Sequence, residues 1–147
     1  LVSYFPSFDD SADWQGKKLL FFKRAQLAPA MLAERWRGTG PGKFTGLDQL
    51  TVSADYKIPQ VLRKIGILTF SPQLARMVDG QRMIPAHSRE EMEIRAATIQ
   101  ATEMMGEILR TKIPDLTSQQ IDRMLWLIGQ NKSKDDKPYH RTRTIAY

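Results

Sequence analysis

The sequence predicts an all-α fold, a helical bundle with an extended C-terminal tail, and three observations carry that prediction. Apolar residues recur at three- and four-residue steps in several separate segments. Two segments open on a hydroxyl residue followed three positions later by Glu or Gln, Ser88 with Glu91 and Thr117 with Gln120, which is the spacing of a helix capping box. Nowhere do several strand-like alternations follow one another in series.

Residues 1–16, with Phe5-Pro6, Asp9-Asp10 and Gly16, read as an extended, turn-rich start. From Lys17 to about Gly38 the pattern is helical, with Leu20, Leu27, Ala28, Met31, Leu32 and Trp36 on a stripe and Gly38 as a stop. Pro29 predicts a kink or a break into two helices, because it has no N–H to donate to the carbonyl of residue 25. Thr39-Gly40-Pro41-Gly42 is a loop, and Leu47 to Leu50 can form a helical turn. A helix from Thr51 to Leu68 follows from the stripe Ile58, Val61, Leu62 and Ile65, with Gly66 marking its end. Ser71-Pro72 caps and opens a short helix that runs to Asp79-Gly80. The longest helix runs from about Arg89 to Thr111 and is terminated by the approach to Pro114. The last carries Ile121, Leu125, Trp126 and Ile128 and stops at Gly129. Asn131 to Lys137 is a charged loop, and Pro138 to Tyr147 is extended.

A chain of 147 residues with 41% hydrophobic residues can bury a real core, so a wholly disordered protein, a collagen and a small disulfide scaffold are excluded. The residues thus form a single helical domain, 1–147. Zero cysteines remove disulfides, thiolate nucleophiles and Cys-ligated metal sites. The two histidines, His87 and His140, leave little for a His-rich metal site, and no metal or redox cofactor is expected. No apolar run reaches the roughly 18 residues of a membrane helix, and no basic stretch precedes an apolar one as in a leader. The expected location is the cytoplasm, with no membrane partner. The chain begins at Leu1 rather than Met, so its native start is expected to lie upstream.

The net charge of +6 is unevenly placed. Between Lys17 and Lys43 stand Lys17, Lys18, Lys23, Arg24, Arg35, Arg37 and Lys43 against Glu34 alone. The segment from Lys132 to Arg143 adds a second excess. Localised basic zones fit phosphate recognition, although a solvated helix face and a loose tail give the same composition.

Three segments carry more polar chemistry than a bundle needs. In Phe21-Phe22-Lys23-Arg24-Ala25-Gln26, Lys23 and Arg24 lie about 100° apart on a helix, so at most one faces the apolar stripe. In Leu50 to Gln60, Asp55 stands next to a locally irregular chain at Pro59. The residues alone favour an N-cap role for this aspartate, with an ionised functional carboxylate as the alternative. In Glu91-Met92-Glu93-Ile94-Arg95, Glu91 and Arg95 can pair, and an inward Arg95 needs a carboxylate. Asp122 lies one turn before Trp126, which pairs an acid with a large ring that could together grip a planar base. There is no Gly-rich phosphate loop, no His-Glu-x-x-His and no Gly-x-Ser-x-Gly.

The strings FFKRAQL, LTVSADYKIPQVLRKIGIL, EMEIRAATIQATE, IDRMLW and PYHRTRTIAY, in this order, resemble the queuosine salvage family, from about Phe5 to Tyr147. The resemblance implies a helical fold related to helix-hairpin-helix DNA glycosylases. It also implies hydrolysis of queuosine 5′-phosphate at its N-glycosidic bond, which releases queuine for tRNA modification without a cofactor. Family members are about twice as long, so the resemblance makes this chain the C-terminal half. The missing N-terminal half, its expected partner, would supply an aromatic residue and a histidine to the base pocket. By the same resemblance Asp55 is the catalytic carboxylate that stabilises an oxocarbenium-like transition state, and Lys23 is the cation facing it. Asp122 matches the position that binds the deazaguanine edge, with Ala54, Tyr56 and Trp126 around the base. Arg24, His140 and Arg141 are candidates for the 5′-phosphate. The family pattern is departed from at Ala54, where many relatives carry an aromatic residue, and at Leu127, where an acidic residue is frequent. A small-molecule nucleotide is thus the expected partner, and no stable nucleic-acid complex is expected. Two other readings stand beside this one: a non-catalytic nucleotide- or RNA-binding module, and a helical DNA or RNA glycosylase of broader range.

Overall fold

The computed structural model of the chain describes residues 1–147. Its first regular elements correct the all-α expectation. Ser11–Trp14 (β1) and Lys17–Leu20 (β2) pair antiparallel in the register Ser11↔Leu20, Ala12↔Leu19, Asp13↔Lys18 and Trp14↔Lys17. The connecting residues Gln15 and Gly16 take φ of 48° and 77°, the positive values that a two-residue hairpin turn requires. Strands of four residues complete barely two periods of alternation, and only Ala12 on them is fully buried. That pattern is too short to stand out against a helical stripe.

Helix α1, Lys23–Arg35, therefore begins after β2, and it passes through Pro29 without ending. The expected break does not occur. No residue of α1 is fully buried, so water can reach the helix where the proline leaves the Ala25 carbonyl without its intrahelical donor. The helix expected from Thr51 starts only at Lys57, giving α2 as Lys57–Lys64. Pro59 lies in its first turn, where N–H groups have no intrahelical acceptor, so the proline is tolerated. Residues 51–56 are thereby left as an irregular segment, with the Asp55 N–H turned back onto the Ser53 carbonyl at 2.8 Å.

Helix α3, Pro72–Asp79, opens on Ser71, whose hydroxyl accepts the Leu74 N–H at 3.3 Å. Helix α4, Arg89–Arg110, is capped by Ser88, but Glu91 accepts the N–H of His87 rather than that of Ser88. The other oxygen of Glu91 faces Arg95 and Tyr147. Helix α5, Ser118–Ile128, carries the complete capping box of Thr117 and Gln120.

The main core lies where α2, α4 and α5 meet, with Val52, Ile58, Val61, Leu62, Leu116, Ile121 and Leu125 buried together. Burying each Ile or Leu side chain contributes about 1.5–3 kcal/mol. Gly129 ends α5 against α2, and a Cβ there would lie 2.8 Å from both Lys57 Cδ and Val61 Cγ2. Only glycine allows the two helices this close. A second cluster joins Ala12 and Phe21 to Ala54 and Met92, and a third joins Val78 and Ile84 to Ile94. The extended tail crosses the molecule. It pairs with the chain at Met83↔Arg141, and Gln60 donates to the Lys137 carbonyl at 2.7 Å.

Between hairpin, α4 and tail sits Arg95, 1% exposed. Its guanidinium grips Asp10 through two bonds of 2.8 and 2.5 Å, and its Nε donates to the Ala54 carbonyl at 2.9 Å. It lies 4.0 Å from the Phe21 ring centroid and 4.8 Å from that of Tyr147. The cation is therefore matched by a bidentate carboxylate and by ring faces, which offset the cost of its desolvation. No helix is long and apolar enough to cross a membrane.

Core and cap contribute to stability on different scales. Leu62→Ala, at a side chain with 0% exposure, should lower unfolding free energy by about 2–5 kcal/mol. Thr117→Ala should cost about 1 kcal/mol through the lost cap. Urea titrations of the two variants that gave equal losses would contradict this placement of the core.

Candidate active site

Residues 51–56 have no neighbouring strand, so their main-chain groups need other partners. Side chains from three helices supply them. Gln26 of α1 accepts the Thr51 N–H at 2.7 Å, and Gln119 of α5 donates to the Thr51 carbonyl at 2.5 Å. Asp122 of α5 accepts the Ser53 N–H at 3.2 Å, and Arg95 of α4 holds the Ala54 carbonyl. An irregular backbone is thus fixed almost residue by residue.

Asp55 follows at once. Its Oδ1 accepts the N–H groups of Lys57 at 2.7 Å and Ile58 at 3.2 Å, so it does cap α2. Its Oδ2 is directed elsewhere, 3.8 Å from Lys23 Nζ, with both side chains 14% exposed. One carboxylate therefore serves the helix with one oxygen and faces an ammonium with the other. Lys23 is the first residue of α1, and Phe22 before it adopts the left-handed conformation, φ 46° and ψ 35°. A bulky residue there stores strain of about 1–3 kcal/mol.

Lys23 and Asp55 line a cavity of about 680 Å³ between α1 and α5. Asp122 and Trp126 form part of the α5 side, with Leu27 and Met31 on the α1 side. Trp126 is 48% exposed, leaving much of its indole free to contact a planar guest. Burial pushes the Asp122 carboxyl up to about 6, against the hydroxyl and the N–H of Ser53, which both work downward. Ser53 also lines this cavity, with its buried hydroxyl turned to the Asp122 carboxylate. Of the two cations on the cavity wall, Arg123 is paired with Glu34 and Lys23 with Asp55.

The remaining sequence candidates lie apart from this lining. Ala54 is buried behind it in the second core cluster. Tyr56, His140 and Arg141 gather instead around a smaller depression of about 440 Å³, where Tyr56 and Tyr139 stack with centroids 4.9 Å apart. Burial pushes the His140 imidazole down to about 4, and its Nε2 lies 3.2 Å from the Tyr147 hydroxyl. Near neutral pH it is uncharged. Arg24 donates to the Ile145 carbonyl at 3.1 Å and lies over the Phe8 ring. The basic zone does not form one face. Lys17 and Lys18 are on the hairpin, while Arg35 ends a helix of 13 residues, about 18 Å from Lys23. Nowhere do three His, Asp or Glu side chains converge to hold a metal ion.

Sequence reading missed Asp10, Gln26, Ser53 and Gln119. Gln26 sits within the FFKRAQL string, which was a signal, whereas Asp10 reaches Arg95 across 85 positions and leaves no local trace.

A family model described as queuosine salvage protein matches residues 1–147. A protein of Sphaerobacter thermophilus named queuosine 5′-phosphate N-glycosylase/hydrolase is 44% identical over 147 residues, which cover 100% of this chain and 46% of that protein. Proteins of the same name from Dictyostelium discoideum and Mus musculus are 40% and 32% identical, again over 100% of this chain and 46% of their own lengths. The chain spans about half the length of these curated relatives. A match over every residue, joined to a carboxylate–ammonium pair in a cavity with an acid and an indole, places this chain in the queuosine salvage protein family.

Proposed function

We propose that this chain carries the glycosidic-bond-breaking centre of a hydrolase that converts queuosine 5′-phosphate and water to queuine and ribose 5-phosphate. The carrying observation is the 3.8 Å approach of Lys23 Nζ to Asp55 Oδ2 at the cavity wall. As the bond from C1′ to the base nitrogen breaks, its electron pair leaves with the base and positive charge builds on the ribose. Asp55 Oδ2 stabilises that charge electrostatically or by capture, and water supplies hydroxide to C1′ and a proton to the base. Lys23 and the two N–H groups on Oδ1 keep the carboxylate oriented. Asp122, an acceptor when ionised, takes the donor-rich edge of the deazaguanine, and Trp126 covers its face. The Ser53 hydroxyl steadies the Asp122 carboxylate on the same side.

Of the candidates for the 5′-phosphate, Arg24 follows Lys23 on α1, whereas His140 and Arg141 lie at the separate depression. The cavity is bordered by exposed side chains of α1 and α5, and in a protein of the relatives' length further chain would cover that side and exclude water. An enzyme acting on a free nucleotide fits the cytoplasm.

Asp55→Asn in the complete polypeptide should lower queuine release by at least about 100-fold. Folding should persist, because the asparagine Oδ1 can still accept the Lys57 N–H. Near-normal release by a folded variant, followed by chromatography of the free base, would remove the mechanism.

Asp122 sets a pH dependence. Its carboxyl titrates near 6 in the free site, and the ionised form accepts from the base more strongly and with no competing O–H. KM should therefore fall as pH rises from 5 to 7 and then level off. Asp122→Asn should flatten this limb and raise KM by about tenfold or more. An unchanged limb in the variant would assign it to another group.

Salt separates the mononucleotide reading from a duplex-binding glycosylase. The log of KM against log salt should have a slope of about one or two for a single phosphate. A slope several times steeper would favour a polymeric substrate.

A further inference from the structure

We infer that Arg95 is a positioning residue that sets the Lys23–Asp55 separation from behind the cavity. This rests on the hydrolase reading for its catalytic meaning, though not for its geometry. Both members of the pair are tied to the same guanidinium through the main chain beside them. On one side, Arg95 Nε donates to the carbonyl of Ala54, the residue before Asp55, at 2.9 Å. On the other, Arg95 NH2 binds Asp10 Oδ2 at 2.5 Å, and that same oxygen accepts the Lys23 N–H at 3.1 Å.

Asp10 holds the start of α1 with unusual thoroughness. Its main-chain carbonyl accepts the N–H groups of Phe21 and Phe22 at 3.0 and 3.1 Å, and its side chain takes Lys23. Three successive N–H groups are thus bound by one residue. They span Phe22, whose left-handed backbone only a surrounding structure of this kind can maintain. The strain sits on the link that aims Lys23. Glu91 holds Arg95 from its own helix at 3.4 Å, and the rings of Phe21 and Tyr147 enclose it. Arg95 does not line the cavity, so it acts on the reacting atoms only through Asp55 and Lys23.

A purely structural cation would be replaceable by another cation. A lysine at this position keeps the charge opposite Asp10 but has no planar fork to hold Asp10 and the Ala54 carbonyl at once. The test uses Arg95→Lys and Asp10→Asn in the complete polypeptide, with folding verified by circular dichroism and thermal melting. Both should lower kcat by about 10- to 100-fold with KM within about threefold, since Asp122 and Trp126 are on the other wall. Crystal structures of the folded variants should show Lys23 Nζ withdrawn from Asp55 Oδ2. Arg95→Lys with wild-type kcat, or with the pair still at its original spacing, overturns the assignment. If the wild-type polypeptide releases no queuine, the hydrolase reading fails, and the spacing in the variant crystals still decides whether Arg95 positions the pair.

Discussion

The buried contact between Arg95 and Asp10 is the constraint on which this arrangement depends. An arginine at 1% exposure is stable only if its charge and its donors are answered. Here they are answered by parts of the chain that would otherwise be unrelated: the residue before β1, the carbonyl of the site segment, the first turn of α4 and the terminal tyrosine. Removing one partner of such a pair costs about 3–5 kcal/mol, because the other charge stays buried. The hairpin, which looks like an appendage to a helical protein, is thereby fastened to the interior through Asp10.

Around the cavity the chain accepts local costs that its cores do not. Phe22 is strained, and Asp122 holds a carboxylate where burial opposes its charge. The three cores, by contrast, are closed with apolar side chains, and the buried threonines of α4 satisfy themselves, Thr98 on the Ile94 carbonyl and Thr102 on that of Thr98. Polar groups set where a guest can enter are what a binding site requires and what a core avoids. Asp55 shows how economically the two demands combine, with one oxygen serving the helix and the other facing Lys23.

Helices with strong local signals were legible in the chain itself. α3, α4 and α5 begin at their hydroxyl caps and end near the residues that spacing indicated. The errors fall where local signal is weak. Lys17 to Leu20 reads as the start of a helix because its leucines match the stripe of α1, yet pairing with Ser11 to Trp14 makes it a strand. Residues 51–56 read as the start of the helix that carries the α2 stripe but are held out of it by Gln26, Gln119, Asp122 and Arg95, which lie far along the chain. Of the residues singled out from the sequence, Lys23, Asp55, Asp122 and Trp126 share one cavity, whereas Tyr56, His140 and Arg141 gather at another place.

By itself the sequence determined the helical majority, the caps and the strings that mark the family. These are properties of residues close together in the chain, where spacing and residue type act directly. Only the tertiary structure decided that a hairpin precedes α1, that Pro29 does not divide it, and that Lys23 and Asp55 come within 3.8 Å while Arg24 turns to the tail. Those outcomes depend on hydrogen bonds and ion pairs between distant segments. Their energies exist only once burial has removed the competing water.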